Sequence, residues 1–211
     1  MIDLHTHTVF SDGELIPAEL VRRAEYKGYR GIGLTDHGDM SNIDFIIPRI
    51  VEVAFELNKV LNIKVIPGIE ITHVPPILIS DVAKKARELG SKLIIVHGET
   101  IVEPVAKGTN LAALNSDIDI LAHPGQISME EVLLAKKNGI SLEITGRGGH
   151  SLTNGRVAKL AKESGTNLVI NSDSHHPNDL LEKSFAMSVV KGAGLNSEDF
   201  KVMQKNAEKF F

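Results

Sequence analysis

The sequence predicts an α/β fold built on a parallel sheet. Short apolar runs rich in Ile and Val alternate with helix-patterned segments along the 211 residues. This alternation is typical of βαβ units, whose parallel strands form either a closed barrel or an open sheet. No linker, low-complexity tract or change in composition divides the chain. Residues 1–211 are therefore predicted to form a single domain.

Seven strands are predicted from the apolar, β-branched runs. They are Met1–His5, Arg30–Thr35, Lys64–Ile71, Lys92–His97, Ile118–Ala122, Ile140–Ile144 and Asn167–Asn171. The region 181–194 has a less regular pattern and allows an eighth short strand at Ser188–Val190.

Helices are predicted between these strands, and several have start or stop signals. They are Pro17–Tyr26, Phe45–Asn58, Ser80–Leu89, Val102–Leu114, Met129–Lys137, Gly155–Glu163 and a last helix at Ser197–Lys209. Pro17 suits a first helical turn, and Gly28, Gly90, Gly139 and Gly165 each follow a helical stretch.

Composition excludes several classes of protein. The chain has no cysteine, which rules out disulfides and thiolate ligands, so a metal would have to use His, Asp and Glu. The formal net charge of -4 gives no basic field for nucleic acid or a membrane surface. No apolar run approaches the roughly 20 residues that span a bilayer. We therefore expect a soluble, cytoplasmic protein without membrane contact.

Every predicted strand carries a histidine or a carboxylate at or near its C-terminal end. Along the chain these are His5 and His7, Asp36 and His37, Glu70, His97, His123, Glu143, and Asp173 and His175. The C-terminal ends of parallel strands line one rim, so the side chains should surround one cavity. A single His or Glu there could equally be a hydrogen-bonded core residue. Burying this many such groups together without a cation is costly, so the set predicts a metal site.

These motifs resemble a known family. In order along the chain they are HTHTVFSDG, TDHGD, GIE, VHGE, LAHPG and SDSH. They resemble the PHP (polymerase and histidinol phosphatase) family of metal-dependent phosphoesterases, and the resemblance extends from His5 to His175. It implies a distorted (β/α)7 TIM-like barrel with up to three metal ions at its C-terminal mouth.

The resemblance also implies which residues bind each ion. The first ion would be held by His5, His7, Glu70 and Asp173. A second ion would share Glu70 and add His97 and His123. A third would be held by Asp12, His37 and His175. The ligand types do not identify the metal, because Zn, Mn and Fe all accept imidazole and carboxylate.

Two residues of the glycine-rich loop after the sixth strand, TGRGGHS, are candidates for contacting substrate. Arg147 lies among glycines, where its guanidinium could bind a phosphate in a forked geometry. His150 could reach the same rim. The alternative is a solvent loop with no role in binding.

Four further polar residues near the strand ends are expected to play supporting roles. Glu143 is expected to support a ligand or face substrate, and Asp36 to orient a neighbouring imidazole. His73 is expected in the pocket wall or a loop. His176 is expected to point away from His175.

The predicted function is hydrolysis of a small phosphomonoester, such as histidinol phosphate or a nucleotide, with a metal-bridging hydroxide as nucleophile. One alternative is a nuclease or phosphodiesterase acting on short oligonucleotides. Another is a non-catalytic scaffold, like the PHP-like subunit of archaeal RNase P. The net negative charge and the 4% aromatic content argue against a stable nucleic-acid partner. The oligomeric state is left open.

Overall fold

Seven parallel strands form a nearly closed barrel in the computed structural model, which describes residues 1–211. The chain has eight strands, of which all but β3 belong to the barrel: β1 (Ile2–Asp3), β2 (Gly31–Leu34), β3 (His37–Gly38), β4 (Lys64–Ile71), β5 (Leu93–His97), β6 (Ile120–Ala122), β7 (Ser141–Thr145) and β8 (Leu168–Asn171). The barrel order is β1, β2, β4, β5, β6, β7, β8, and the two-residue β3 pairs only with β4. The predicted distorted (β/α)7 barrel is confirmed, and all seven predicted strands lie within two residues of an observed strand.

The seam between β1 and β8 is closed just beyond the strands rather than within them. Thr6 bridges to Ser174 in parallel register. The His7 backbone N–H donates to the Ser174 carbonyl at 2.9 Å, and the Asp173 N–H donates to the His5 carbonyl at 3.0 Å. The seam therefore joins the first and last ligand-bearing segments of the chain.

Eight α-helices surround the barrel. They are α1 (Pro17–Tyr26), α2 (Ile43–Val60), α3 (Ile79–Glu88), α4 (Thr109–Leu114), α5 (Met129–Asn138), α6 (Asn154–Ser164), α7 (Lys183–Gly192) and α8 (Ser197–Glu208), with short 3₁₀ turns at Pro76–Leu78 and His150–Thr153. None of these helices combines the length and apolar character that crossing a membrane requires.

Two sequence predictions are wrong. The helix predicted at Val102–Leu114 begins only at Thr109, because Pro104 and Gly108, with φ of 90°, interrupt it. The residues before Thr109 form a loop. The strand allowed at Ser188–Val190 belongs to α7, whose buried residues Ala186 and Val190 have the i, i+4 spacing of a helix face.

The core has two parts. The larger part, 46 buried residues, lies between the strands and the helices. The smaller fills the barrel interior with residues such as Leu4, Ile66 and Ile95. At the N-terminal ends of the strands, α8 contributes Ala207 to this inner cluster, and Phe210 packs against it. The barrel interior is therefore closed at that end, and the cavity that the predicted ligands line lies at the opposite end.

Candidate metal centre

The C-terminal ends of the strands bring all nine predicted metal-binding residues into overlapping groups at one polar cavity, and five of the nine line it. This cavity has a volume of about 440 Å³ and no hydrophobic residue in its lining. Seven of the nine side chains are buried, while His37 is partly exposed and Asp12 is exposed. The structure therefore assembles the predicted rim from residues that lie up to 170 positions apart in the sequence (His5 to His175).

The first ligand group consists of His5, His7, Glu70 and Asp173. His5 and His7 are two positions apart in an extended segment, so both rings face the cavity. His5 Nε2 lies 3.3 Å from Glu70 Oε1, and His7 Nε2 lies 3.2 Å from Asp173 Oδ1. Asp173 has a left-handed backbone, with φ of 54°, where the chain leaves β8.

The third ligand group consists of Asp12, His37 and His175. Asp12 Oδ1 lies 3.2 Å from His175 Nε2 and 3.5 Å from His37 Nε2. The rings of His37 and His175 flank the His7 ring, with centroids 4.2 and 4.1 Å from it. His7 Nδ1 lies 4.0 Å from Asp12 Oδ1, so His7 lies between the first and third groups. The sequence did not indicate this shared position.

The second ligand group consists of Glu70, His97 and His123. His123 Nε2 lies 3.6 Å from Glu70 Oε1, and the His97 ring lies 4.4 Å from the His123 ring. The structure also brings His150 into this group, with its ring stacked 4.3 Å from His123. Ring nitrogens of His97, His123 and His150 lie within 4.8 Å of one another.

Several imidazoles are oriented by a hydrogen bond from Nδ1, which leaves Nε2 to face the cavity. His5 Nδ1 donates to Glu143 Oε1 at 2.8 Å. The Nδ1 atoms of His97 and His175 donate to backbone carbonyl oxygens at 3.1 and 3.0 Å. Glu143 also accepts a hydrogen bond from the Asn171 side-chain amide. Its bond to His5 supports a ring that faces the cavity, which is one of the two roles predicted for Glu143.

Several buried nitrogen and oxygen atoms of the ligand groups have no hydrogen-bond partner, which is what metal ligands without their ion would show. His5 Nε2, Glu70 Oε1 and both ring nitrogens of His7 and His123 are buried and have no hydrogen-bond partner. Orphaned polar atoms of this kind are rare and costly in folded proteins. Two donors about 2.0–2.1 Å from a tetrahedral ion lie about 3.3 Å apart, close to the 3.2 and 3.3 Å contacts of the first group. The donor set therefore fits divalent cations.

The pKa shifts of Glu70, His7 and His123 favour the forms that bind metal. Burial would raise the pKa of Glu70, but the His5 and His37 imidazoles outweigh it and hold the pKa well below its ordinary range. Burial lowers the pKa of His7 to about 4, and it holds the pKa of His123 well below its ordinary value. Ionised carboxylate and neutral imidazole are the forms that bind metal. At His5 and His37 burial is outweighed by carboxylates, Glu70 foremost, which raise the pKa, that of His37 to about 10, so these two rings would lose a proton on binding a metal.

The role predicted for Asp36 is wrong. Its carboxylate accepts hydrogen bonds from the Thr8 backbone N–H at 2.7 Å, the Thr8 hydroxyl at 2.8 Å and the Ser11 hydroxyl at 2.8 Å. It makes no hydrogen bond to an imidazole. Asp36 therefore fixes the turn that carries Asp12, because Thr8 and Ser11 occupy the short connection after His7.

The remaining polar residues lie at the mouth of the cavity. Arg147 lines it, with Nη1 3.4 Å from both the Asp173 carbonyl and the Asp179 carboxylate. His73 is also part of the cavity wall. His176 is exposed and contacts Glu14 at 2.8 Å, pointing away from the cavity as predicted.

One rim residue was missed by the sequence analysis. Glu103 follows β5 in the loop that had been predicted as helix, and it contacts three imidazoles at the mouth of the cavity. An acidic residue in a loop six positions after a strand end carries no periodic signal. The only hint was the adjacent Pro104, which disfavours the predicted helix at this point.

Fold and site together define a parallel α/β barrel with a candidate multi-metal centre at its C-terminal mouth. The sequence model of the PHP domain matches residues 3–146, and the chain belongs to this family. An uncharacterized protein of Methanocaldococcus jannaschii is 51% identical over 199 residues, covering 93% of this chain and 91% of that protein. A probable phosphatase of Shewanella pealeana is 31% identical over 220 residues, covering 92% and 84% of the two chains.

Solved structures show the same fold at low sequence identity. A chain in a cryo-EM structure of archaeal Ribonuclease P with mature tRNA has a TM-score of 0.74 at 18% identity, covering 100% of this chain and 89% of that one. The Lactococcus lactis histidinol phosphate phosphatase, solved with zinc, L-histidinol and phosphate, has a TM-score of 0.66 at 17% identity, covering 92% and 94%. The fold thus occurs both in a histidinol phosphate phosphatase and in a chain of archaeal Ribonuclease P.

Proposed function

We propose that this protein is a metal-dependent phosphoesterase that hydrolyses a small phosphomonoester, such as histidinol phosphate or a nucleotide. The observation that carries the proposal is the convergence of three ligand groups, together with buried atoms of His5, His7, Glu70 and His123 that lack partners. A scaffold would have no need to keep such atoms buried and unpaired, since doing so is unfavourable. The probable-phosphatase relatives support the same reaction class.

Two or three divalent ions, whether Zn, Mn or Fe, would be held by the three ligand groups. Bound there, they would supply Lewis acidity towards phosphate oxygens and acidify a water at neutral pH. The chain supplies the rest. Glu143 holds the His5 ring through Nδ1, and Asp36 fixes the turn that presents Asp12.

Arg147 is proposed to bind the phosphate of the substrate. Its guanidinium makes only two contacts, both at 3.4 Å, so most of its donors are available at the cavity wall. A guanidinium can contact two phosphate oxygens at once. The absence of hydrophobic lining means that a small polar substrate suits this cavity.

The alternatives of an oligonucleotide phosphodiesterase and a non-catalytic scaffold make different predictions. A diesterase would cleave bis(aryl) phosphate or short oligonucleotides faster than monoesters. A scaffold would cleave neither. The likeness to a Ribonuclease P chain bears on fold alone, and the negative net charge of -4 disfavours an RNA partner.

A hydrolysis panel of phosphometabolites, aryl mono- and diesters and short oligonucleotides tests the proposal, run beside elemental analysis of the purified protein. We expect metal-dependent turnover of monoesters. His5→Ala should lower both metal content and turnover, while His176→Ala, at an exposed histidine outside the cavity, should change neither. If Zn- or Mn-loaded protein turns over no ester and His5→Ala retains its metal, the proposal is wrong.

A further inference from the structure

Glu103 extends from the loop between β5 and α4 across the mouth of the metal cavity. Its Oε2 lies 3.1 Å from His97 Nε2, and its Oε1 lies 3.3 Å from His150 Nε2. The side chain is 37% exposed, whereas the two imidazoles it meets are only 4% and 7% exposed. Glu103 is therefore a surface carboxylate that faces two buried rings from outside.

The two rings present their Nε2 atoms to this carboxylate because their Nδ1 atoms are already engaged. His97 Nδ1 donates to the Gly98 carbonyl at 3.1 Å. His150 Nδ1 is hydrogen-bonded to the Thr100 hydroxyl at 2.8 Å. A neutral ring held in this way offers a lone pair at Nε2, which is the atom that binds a metal.

His123 provides an independent indication of a ligand at the same point. Its ring lies 4.4 Å from the His97 ring and 4.3 Å from the His150 ring, and both its nitrogens are buried without a partner. Ring nitrogens of the three imidazoles thus lie within 4.8 Å of one another, and Glu103 contacts two of the three rings. His97 and His150 each meet a different oxygen of Glu103, at 3.1 and 3.3 Å, so one carboxylate borders the position that the three rings enclose.

His73 holds the carboxylate in place. Its Nε2 donates to Glu103 Oε2 at 3.0 Å. His73 has a positive φ of 53°, which is uncommon for a residue with a side chain and is found at sites where geometry is imposed. Its ring lies 5.0 Å from the His97 ring, so a constrained residue orients Glu103 beside the second ligand group.

We propose that Glu103 is a further, displaceable ligand of the ion of the second group, beside His97, His123 and His150, and that the phosphate of the substrate takes its place. This assigns His150 to the metal rather than to direct substrate contact. An ion surrounded by protein donors is closed to substrate, whereas a catalytic ion needs an open position. Glu103 is the donor suited to leave, because it lies on an exposed loop while the imidazoles are buried. The displacement step rests on the proposed function, but the metal ligation does not.

Glu103→Gln removes the anionic ligand while keeping the size of the side chain. Glu14→Gln is the matched control, since Glu14 is also a rim glutamate paired with a histidine but faces outward. The full chain is stripped of metal and titrated with Zn²⁺ by calorimetry. We expect Glu103→Gln to weaken binding of one zinc ion about 10- to 100-fold, the scale seen when groups around a metal are altered. Glu14→Gln should match the wild type.

Inorganic phosphate then tests displacement in protein saturated with zinc. If Glu103 blocks the open position in about nine-tenths of the molecules, its removal should tighten phosphate binding about tenfold. If Glu103 had only a structural role, its replacement would not weaken zinc binding and tighten phosphate binding together. The proposal is overturned if Glu103→Gln binds zinc as the wild type does, or if phosphate binding is not tightened.

Glu103→Asp, one methylene shorter, should resemble Glu103→Gln in both measurements. Neither measurement depends on turnover, so the failure of the proposed function would be visible separately.

Discussion

The two ends of the barrel bury polar side chains in opposite ways. At the N-terminal end, the Gln204 amide accepts from the Ile2 backbone N–H at 2.7 Å and donates to the Ile2 carbonyl at 3.1 Å. Asn206 donates to the Leu168 carbonyl at 2.9 Å. At the C-terminal end, the rings of His7 and His123 are equally buried, but their nitrogens have no hydrogen-bond partner.

This difference separates a structural polar group from a ligand-binding one. Paired polar groups such as Gln204 add to stability, while each unpaired buried group costs about 1–3 kcal/mol. At the closed end, Gln204 and Asn206 of α8 find hydrogen-bond partners in the backbone of β1 and β8. The unpaired atoms of the open end would gain partners from bound cations, so the two ends should respond differently to metal removal and to mutation.

The largest effect is expected from withdrawing the metal. With zinc at about 1,000 times its Kd, removal by a chelator should cost about 4 kcal/mol of unfolding free energy. For a chain of this size, that corresponds to a fall in Tm of about 10 °C. Calorimetry with and without chelator measures the shift, and turnover of an aryl phosphate should vanish with it. An unchanged Tm would mean that the unpaired atoms of the open end do not bind metal.

Glu70→Gln is expected to have the next largest effect. Glu70 contacts members of all three ligand groups, including His5, His37 and His123. A neutral amide cannot replace a carboxylate among several cations. Activity should therefore fall more than about 100-fold, which exceeds the losses of about 10- to 100-fold that follow mutation of residues supporting a metal ligand. The measurement is kcat/KM with metal content determined on the same sample. Glu163→Gln, at an exposed position on α6, is the control.

A smaller effect is expected one layer below the cavity. In the wild type the Glu143 carboxylate accepts a hydrogen bond from the His5 Nδ1–H at 2.8 Å and so orients the ring. Glu143→Gln replaces this carboxylate with a weaker acceptor. Metal affinity should fall about 10- to 100-fold. Zinc titration of the stripped variant measures this, and full retention of wild-type affinity would show that the His5 ring needs no support from Glu143.

The smallest effect is expected at the closed end. Gln204→Leu leaves the Ile2 N–H and carbonyl without partners, which should cost about 1–3 kcal/mol of stability. Denaturant unfolding measures the loss, and Gln126→Leu at an exposed position is the control. Zinc affinity should stay at the wild-type value. A loss of zinc in this variant would show that the two ends are coupled rather than separate.

Much of the fold could be predicted because its signals are local. Strands such as Lys64–Ile71 and helices such as Pro17–Tyr26 match the structure at both ends, since an apolar run or a proline at a first turn acts over a few residues. The helix predicted at Val102–Leu114 was wrong in its first half, because Pro104 and Gly108 interrupt a segment whose apolar pattern resembles that of a helix. The strand allowed at Ser188–Val190 was wrong because a short apolar run fits a buried helix face equally well.

The order of residues along the chain is enough to show that histidines and carboxylates follow the strands, and parallel topology then implies a common rim. How these groups face one another depends on the folded chain. It placed His7 between two ligand groups, turned Asp36 towards Thr8 instead of an imidazole, and brought Glu103 from a loop to the second group. The reason is physical: strand periodicity fixes where a side chain points within its own element, whereas contacts between loops depend on how distant segments pack.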